Sequence, residues 1–262
     1  MKEKRSVWEL LSLEEKICLV AGGVKGYGYF ITEALAEAGG TVITASRNKR
    51  RCQEVARTLG ERGLKVKGEF LDITQEKSIL DLREKILSTF GRIDVLVNTA
   101  VSRPMKSYNS PIQDWEKSMQ VNATGVFLTI RIFAEPMIER KSGSIINISS
   151  IYGMVGPDFH IYEGLGMDNP PDYAFHKGGI INLTRYLATR FAPFNIRVNC
   201  VSPGGLFAGQ KEEFLKRYNY KVPLGRMAKG EDIKGAIVFL ASEASSYITG
   251  QNIVVDGGWT IW

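Results

Sequence analysis

The chain has 262 residues, of which 44% are hydrophobic and 24% are charged, and its formal net charge is +6. This composition is ordinary for a globular protein with a substantial core, and the sequence contains no unbroken apolar stretch of the roughly 18 residues that a membrane span requires. No apolar segment follows the charged N-terminus to form a secretory signal, and no basic run interleaved with aromatic residues indicates nucleic acid as a partner.

Short apolar segments alternate with helical patterns along the whole chain. Strands are predicted at 16–21, 41–45, 64–70, 93–98, 144–148, 197–201 and 252–256, and helices at about 26–38, 48–61, 75–90, 112–139, 173–191 and 230–240. Such strands are typical of a parallel sheet covered on both faces, and right-handed crossovers make that sheet doubly wound. We therefore predict one α/β domain over residues 1–262, with a sheet of about seven strands.

Two segments, about 151–172 and about 203–225, do not fit this alternation. Both follow the carboxyl end of a predicted strand, which is where open α/β sheets bind their ligands. We therefore expect these two segments to border the binding site.

A glycine-rich turn joins the first predicted strand to the first long predicted helix. Gly22, Gly26 and Gly28 would let the backbone approach a pyrophosphate, and the following helix N-terminus offers free N–H groups. The same glycines would also suit a tight turn without a ligand. Their position directly after the first strand favours a dinucleotide site.

The end of the second predicted strand lacks the acidic residue that would bind the adenosine ribose and repel a 2′-phosphate. Ser46 and Arg47 stand there instead, and Lys25 lies within the glycine turn. Since a guanidinium can bind a phosphate through two hydrogen bonds, we predict NADP(H) in preference to NAD(H). The alternative is that Arg47 simply faces solvent.

Tyr173 and Lys177 are four residues apart in a predicted helix, so their side chains share a face. In a chain with ten tyrosines, such a pair also arises by chance. A free phenol has a pKa of about 10, and a neighbouring ammonium lowers it. This brings the phenol closer to the pH at which a general acid or base is most effective.

The order of these motifs resembles the short-chain dehydrogenase/reductase family from about residue 13 to residue 259. The resemblance extends to the stretches FLDIT, VNTA, MQVNATGVF, GSIINISS, YAFHK and SPGG, and to the C-terminal FLASEASSYITGQNIVVDGGW. Departures from the family pattern are Ala21, Thr99, Val101 and Ala208. The resemblance implies a Rossmann fold and the interconversion of a carbonyl and a secondary alcohol.

The resemblance also implies a catalytic tetrad of Asn122, Ser150, Tyr173 and Lys177. Tyr173 would exchange a proton with the substrate oxygen, to which Ser150 would be hydrogen-bonded. Lys177 would hold the nicotinamide ribose, and Asn122 would help to hold a water that relays protons. The expected cofactor contacts are Gly22, Lys25, Gly26, Tyr27, Gly28, Ser46, Arg47, Asp72, Ile73, Asn98, Ala100, Tyr173, Lys177, Pro203, Gly204 and Leu206.

The stretch between Ser150 and Tyr173 is longer than is usual in the family, with an insertion at about 157–172. Its glycines and prolines predict a loop, in which Pro170 and Pro171 set up the start of the catalytic helix. Its polar residues favour a sugar or sugar phosphate as substrate, although the loop could instead pack on the surface or against another subunit. The predicted substrate contacts are Ser150, Tyr152, His160, Tyr162 and Glu163.

A closer resemblance, carried by SSIYGMVGPDFHIYEGLGM and NPP, is to bacterial reductases linked to flagellin glycan and nonulosonic (legionaminic-type) sugar biosynthesis. It implies a role in carbohydrate metabolism and flagellin modification. The 203–225 segment resembles the mobile substrate loop of the family. Its cations would either meet a phosphate or form a solvated helix face; they are Lys211, Lys216, Arg217 and Lys221.

The leading prediction is an NADP(H)-dependent oxidoreductase that acts on a CH–OH group of a small polar molecule. The alternatives are a 3-oxoacyl-(acyl-carrier-protein) reductase or a general carbonyl reductase and, from a different class, a non-catalytic NADP(H)-binding protein. The family resemblance implies a homodimer or homotetramer. Three scattered cysteines and no metal-ligand cluster predict a cytoplasmic protein without a metal, in which His160 and His176 are packing or surface residues.

Overall fold

Seven parallel strands form one sheet in the order β3-β2-β1-β4-β5-β6-β7. The computed structural model describes residues 5–262. The strands are Ile17–Ala21 (β1), Thr41–Ser46 (β2), Val66–Phe70 (β3), Val95–Asn98 (β4), Gly143–Ile148 (β5), Ile196–Pro203 (β6) and Asn252–Val255 (β7). This architecture confirms the predicted doubly wound α/β fold.

Helices cover both faces of the sheet. They are Val7–Leu11 (α1), Tyr27–Glu37 (α2), Lys49–Gly60 (α3), Glu76–Phe90 (α4), Ile112–Met119 (α5), Val126–Arg140 (α6), Pro171–Phe191 (α7), Glu212–Tyr220 (α8) and Lys234–Ala241 (α9). The buried side chains of α4, α6 and α7 share one core cluster, and those of α2 and α9 share the cluster on the opposite face.

The residues of β1 show why the sheet is buried on both faces. All five are buried; Ile17, Leu19 and Ala21 join one core cluster, and Cys18 and Val20 join the other. Because side chains alternate along a strand, a continuous apolar run serves two helical layers.

The stretch predicted as one helix over 112–139 contains a π-helical segment, Gln120–Gly125, between α5 and α6. The run Ile112–Arg140 is long and apolar enough for a membrane span by length and composition. Within this run, Ile130, Phe133 and Met137 of α6 are fully buried in the core, although Ile112 and Phe127 are exposed, so α6 serves here as a core helix.

The direction of the crossovers reverses between β1 and β4, which pair side by side. This arrangement opens a crevice at the carboxyl ends of the two strands. The strands approach each other closely there: a Cβ on Gly22, where φ is +96°, would lie 2.6 Å from the main-chain nitrogen of Ala100. Glycine is therefore required at position 22 for the crevice to form.

Candidate active site

A cavity of about 1360 Å³ occupies this crevice and extends from the end of β2 to the 151–172 segment. Both segments that interrupted the predicted alternation contribute to its walls, as expected. The predicted cofactor residues that line it are Gly22, Lys25, Gly26, Tyr27, Gly28, Ser46, Arg47, Asp72, Ile73, Ala100, Tyr173, Lys177, Pro203, Gly204 and Leu206.

Asn98, the remaining predicted cofactor residue, does not line the cavity. Its buried amide donates a 2.9 Å hydrogen bond to Asn147, whose amide donates one of 3.0 Å to Thr184. These bonds connect β4, β5 and α7 beneath the site. Thr99, a departure from the family pattern, donates a 3.0 Å hydrogen bond to the carbonyl of Gly22 and so fastens β4 to the glycine turn.

The end of the cavity beside β2 is positively charged. Lys25, Ser46 and Arg47 line it as predicted, and Arg51 lines it too although the sequence analysis did not identify it. Arg51 lies in the first turn of α3, with its Nε 3.4 Å from the carbonyl of Val24. Its position one turn after the strand end was the available sequence signal.

The glycine turn leaves the cavity side of its backbone open. Gly26 precedes α2 with φ at +53°, and a Cβ there would meet nothing closer than the Leu206 side chain at 3.9 Å. A helix N-terminus with an open approach and three nearby cations suits a phosphorylated dinucleotide. The residues present therefore fit the nicotinamide cofactor that the motifs imply.

Tyr173 and Lys177 lie one turn apart on α7, which begins at Pro171 as expected for a proline in the first helical turn. Ser149 donates a 2.7 Å hydrogen bond to the carbonyl of Lys177. A Cβ on Gly153 would lie 2.6 Å from that same carbonyl group. The chain after β5 is therefore pressed against α7, which places Ser150 beside Tyr173.

The charges around Tyr173 favour its phenolate. Burial alone would raise the pKa of Tyr173, but the charges of Lys177 and Arg103 and a hydrogen bond with Ser150 outweigh it and lower the pKa. Burial also lowers the pKa of Lys177, whose ammonium donates a 2.7 Å hydrogen bond to the carbonyl of Ile148.

Asn122 lies in the π-helical segment, is almost fully buried and does not line the cavity. Its Oδ1 accepts a 2.8 Å hydrogen bond from the N–H of Ser102, and its Nδ2 donates one of 2.7 Å to the Ser102 carbonyl. Nδ2 also donates to Ser118, which in turn donates a 2.5 Å hydrogen bond to the buried carboxylate of Asp172. The Asn122 side chain therefore connects the loop after β4, through Ser118, to Asp172 at the start of α7.

His176 is a packing residue, as predicted. Its Nδ1–H donates a 2.7 Å hydrogen bond to the carbonyl of Asp172, and its ring meets that of Tyr173 edge to face at 5.3 Å. Burial, together with the charge of Lys177, lowers the pKa of His176 to about 3. The imidazole is therefore neutral and supports the Tyr173 ring through packing.

The 151–172 segment faces the cavity with polar groups. The hydroxyls of Tyr152 and Tyr162 share a 2.6 Å hydrogen bond, and Nδ2 of Asn169 lies 3.4 Å from the Tyr162 oxygen. Burial raises the pKa of both phenols, so they stay neutral. The segment also contributes Gly166, Met167, Asp168 and Pro170 to the cavity wall.

Two of the predicted substrate contacts lie away from the cavity. The His160 side chain is 90% exposed and its Nδ1 is 3.0 Å from Asp158. Glu163 is exposed as well, and it is its main-chain carbonyl that accepts a hydrogen bond, from Arg217. The structure corrects these two predictions because the 3₁₀ turn Phe159–Ile161 directs Ile161, and not His160, into the protein.

Three of the four cations of the 203–225 segment contact the 151–172 segment, whereas Lys216 is exposed as a solvated cation would be. Lys221 forms an ion pair with Asp158, and Phe214 and Tyr218 of α8 pack with Ile161 in a separate apolar cluster. Further hydrogen bonds run from Lys211 Nζ to the Leu165 carbonyl (2.8 Å), and from Arg217 Nη1 to the carbonyls of His160 (3.1 Å) and Glu163 (2.7 Å).

Arg103, on the loop after β4, is a site residue that the sequence analysis did not identify. Its guanidinium carbon lies 4.1 Å from the centre of the Tyr173 ring, and its side chain lines the cavity. No periodicity or motif marks a loop residue of this kind, so only the folded chain reveals its place beside Tyr173.

Comparison with known proteins identifies a family and relatives that this chain resembles. The sequence profile of a family described as enoyl-(acyl carrier protein) reductase matches residues 22–260. The 3-oxoacyl-(acyl-carrier-protein) reductase FabG of Aquifex aeolicus is 36% identical over 254 residues, which cover 95% of this chain and 98% of that protein.

Solved structures agree with that assignment. A short-chain type dehydrogenase/reductase from Mycobacterium marinum superposes with a TM-score of 0.88 and 32% identity, covering 97% of this chain and 99% of its own. A gluconate 5-dehydrogenase from Burkholderia cenocepacia, solved with NADP and tartrate, has a TM-score of 0.88, 27% identity and coverage of 98% and 100%. The chain therefore belongs to the short-chain dehydrogenase/reductase family of NAD(P)-dependent oxidoreductases that act on CH–OH groups.

Proposed function

We propose that this protein interconverts a carbonyl and a secondary alcohol on a small hydroxylated molecule, with NADP(H) as its cofactor. The observation that carries the proposal is the part of the cavity wall formed by the 151–172 segment, which presents the hydroxyls of Tyr152 and Tyr162 and the amide of Asn169. Hydroxylated substrates match such a wall, because each polar group that loses water on binding needs a hydrogen-bond partner.

The chemistry follows from the groups around Tyr173. When bound, the nicotinamide exchanges a hydride with the substrate carbon. In reduction, Tyr173 donates its proton to the carbonyl oxygen; in oxidation, its phenolate removes the proton of the alcohol. Ser150 hydrogen-bonds the same oxygen, and the ammonium of Lys177 lowers the pKa of the phenol. The part of Asn122 in holding a relay water stays a prediction, because its side chain is hydrogen-bonded to Ser102 and Ser118 and does not line the cavity.

Arg47 and Arg51 support NADP(H) as the cofactor, since both line the cavity at the end of β2 with Lys25. Charged hydrogen bonds contribute about 1.5–3 kcal/mol each. We therefore expect Arg47→Ala and Arg51→Ala each to weaken NADPH binding by at least about tenfold, with NADH binding unchanged. Fluorescence titration with the two nucleotides measures this directly.

Arg50→Ala is the matched control for that titration. The Arg50 side chain is 90% exposed, pairs with Glu54 on the surface and does not line the cavity. Its removal should leave both affinities unchanged. Equal binding of NADPH and NADH by the unmodified protein would contradict selection of the 2′-phosphate by these cations, and NAD(H) would become the cofactor to pursue.

A 3-oxoacyl-(acyl-carrier-protein) reductase is the second candidate, because the FabG reductase of Thermotoga maritima is also 36% identical over 256 residues. The polar wall favours the first candidate over an acyl chain. We expect NADPH oxidation with polyhydroxylated ketones to exceed that with a 3-oxoacyl thioester, and Tyr152→Phe and Tyr162→Phe to reduce the former selectively. Faster turnover of the thioester, unaffected by these variants, would establish the second candidate.

The finer predictions from family resemblance are consistent with this function. A role in flagellin glycan or nonulosonic sugar biosynthesis accords with a hydroxylated small-molecule substrate. A homo-oligomer and a cytoplasmic location are expected from the family resemblance. A single domain over residues 1–262 accords with the one sheet that all seven strands of residues 5–262 form. These statements stay part of the proposal.

A further inference from the structure

We propose that Arg103 and Lys106 form an anion subsite that binds a carboxylate or phosphate group of the substrate. The proposal rests on the proposed function and specifies its substrate class: a hydroxylated carbonyl compound with a negative charge, preferred over its neutral counterpart. Nothing in the family motifs involves these two side chains, which lie on the loop between β4 and α5.

Both cations lie at the substrate end of the cavity. The guanidinium carbon of Arg103 is 4.1 Å from the centre of the Tyr173 ring, and Lys106 lines the same wall with its ammonium 3.2 Å from the Arg103 carbonyl. A group bound there would lie next to the carbon and oxygen that react at Tyr173. The subsite is therefore part of the substrate position and separate from the cations beside β2.

Neither cation is neutralised within residues 5–262: no carboxylate lies within ion-pair distance of Arg103 or Lys106. By contrast, Lys221 and Arg226, which do not line the cavity, are paired with Asp158 and Asp232. Asp168 contributes one carboxylate to the substrate end, and one of its oxygens accepts a 2.7 Å hydrogen bond from the N–H of Asn169. Two free cations against one carboxylate leave this end net positive.

The loop that carries Arg103 is held in place before any substrate binds. Asn122 hydrogen-bonds both the N–H and the carbonyl of Ser102, directly before Arg103, and Met105 on the other side is buried. The Arg103 guanidinium contacts Tyr173, and its remaining N–H groups can hydrogen-bond an oxyanion. This arrangement limits the entropy that Arg103 loses on binding, which strengthens the subsite.

Two matched pairs of ketones test the subsite with NADPH as reductant. L-Sorbose is 5-keto-D-gluconate with a hydroxymethyl group in place of the carboxylate, and D-fructose is the neutral partner of D-fructose 6-phosphate. We expect kcat/KM to be about 10- to 100-fold higher for the anionic member of at least one pair, as one or two charged hydrogen bonds provide. The pair with the larger ratio identifies carboxylate or phosphate.

Arg103→Gln should reduce that ratio to near one, Arg103→Lys should retain part of it, and Lys106→Met should lower it less. Arg103 also lowers the pKa of Tyr173, so its loss changes the rate with neutral substrates as well. Taking the ratio of the two rates within one variant removes that shared effect. Arg190→Ala removes an exposed cation of α7 that does not line the cavity, and it should leave the ratio unchanged.

Calorimetric titration of the NADP⁺-loaded protein with the same four ketones supplies a measurement independent of turnover. Equal rates and equal affinities for charged and neutral ketones would overturn the anion subsite while leaving the proposed function intact. Absence of both binding and turnover with all four, together with turnover of a 3-oxoacyl thioester, would overturn the proposed function as well.

Discussion

Tyr173→Phe is expected to lower kcat/KM by about 10²- to 10⁴-fold, the usual contribution of a positioned general acid or base. The substitution removes the hydroxyl that exchanges the proton and keeps the ring over which Arg103 stacks and against which His176 packs. Affinity for NADPH should therefore change little. Steady-state kinetics and a fluorescence titration of the same preparation separate the two effects.

Tyr186→Phe provides the control, since Tyr186 is a 62% exposed tyrosine on the same helix. It should retain full activity. If Tyr173→Phe were as active as the unmodified protein, Tyr173 would not be the acid/base and the non-catalytic NADP(H)-binding protein would become the leading interpretation.

Lys177→Met should reduce turnover by about 10²- to 10³-fold near neutral pH and displace the pH profile. In oxidation, Tyr173 must be deprotonated, so activity rises as the pH passes through the pKa of Tyr173. Lys177 lowers that pKa against the effect of burial. Without the ammonium the pKa increases, and the rising limb of the profile should move to higher pH.

In the reductive direction the sign is reversed, because Tyr173 must be protonated and activity falls as the pH rises through the same pKa. The variant should therefore retain its residual reductase activity to higher pH than the unmodified protein. The charges that act on Tyr173 are those of Lys177 and Arg103, while the neighbouring His176 is neutral. Lys177→Arg, which keeps the charge, should shift the limb least; a loss of activity without any displacement would exclude the electrostatic role.

The fold and the catalytic neighbourhood could be predicted from the sequence because short-range rules determine them. The five apolar residues of β1 have no polar position to expose, and a tyrosine and lysine four apart on one helix must share a face. The loop character of the 151–172 segment followed from its glycines and prolines in the same way.

What could not be predicted depends on contacts between distant segments. Nothing in QVNATG distinguishes the π-helical turn from the α-helix on either side. The acceptors of Arg217 in α8, and of Lys211 and Lys221 beside it, lie on the distant 151–172 segment. His160 could not be distinguished from Tyr162 as a cavity residue by sequence alone. Arg103 lies on a loop whose course is set by Asn122, nineteen residues further along the chain.

The attachment of α8 to the 151–172 segment has a consequence for how substrate enters. When a loop becomes ordered only on binding, the ordering costs about 1–2 kcal/mol of binding free energy per residue. Here the Lys221–Asp158 ion pair, the carbonyls that hold Arg217 and the packing of Phe214 order this region during folding. Substrate therefore meets a wall that is already formed. Sequence changes in α8 and in the 151–172 segment are also coupled, because deleting the 151–172 segment would leave α8 with unpaired cations and an uncovered apolar face.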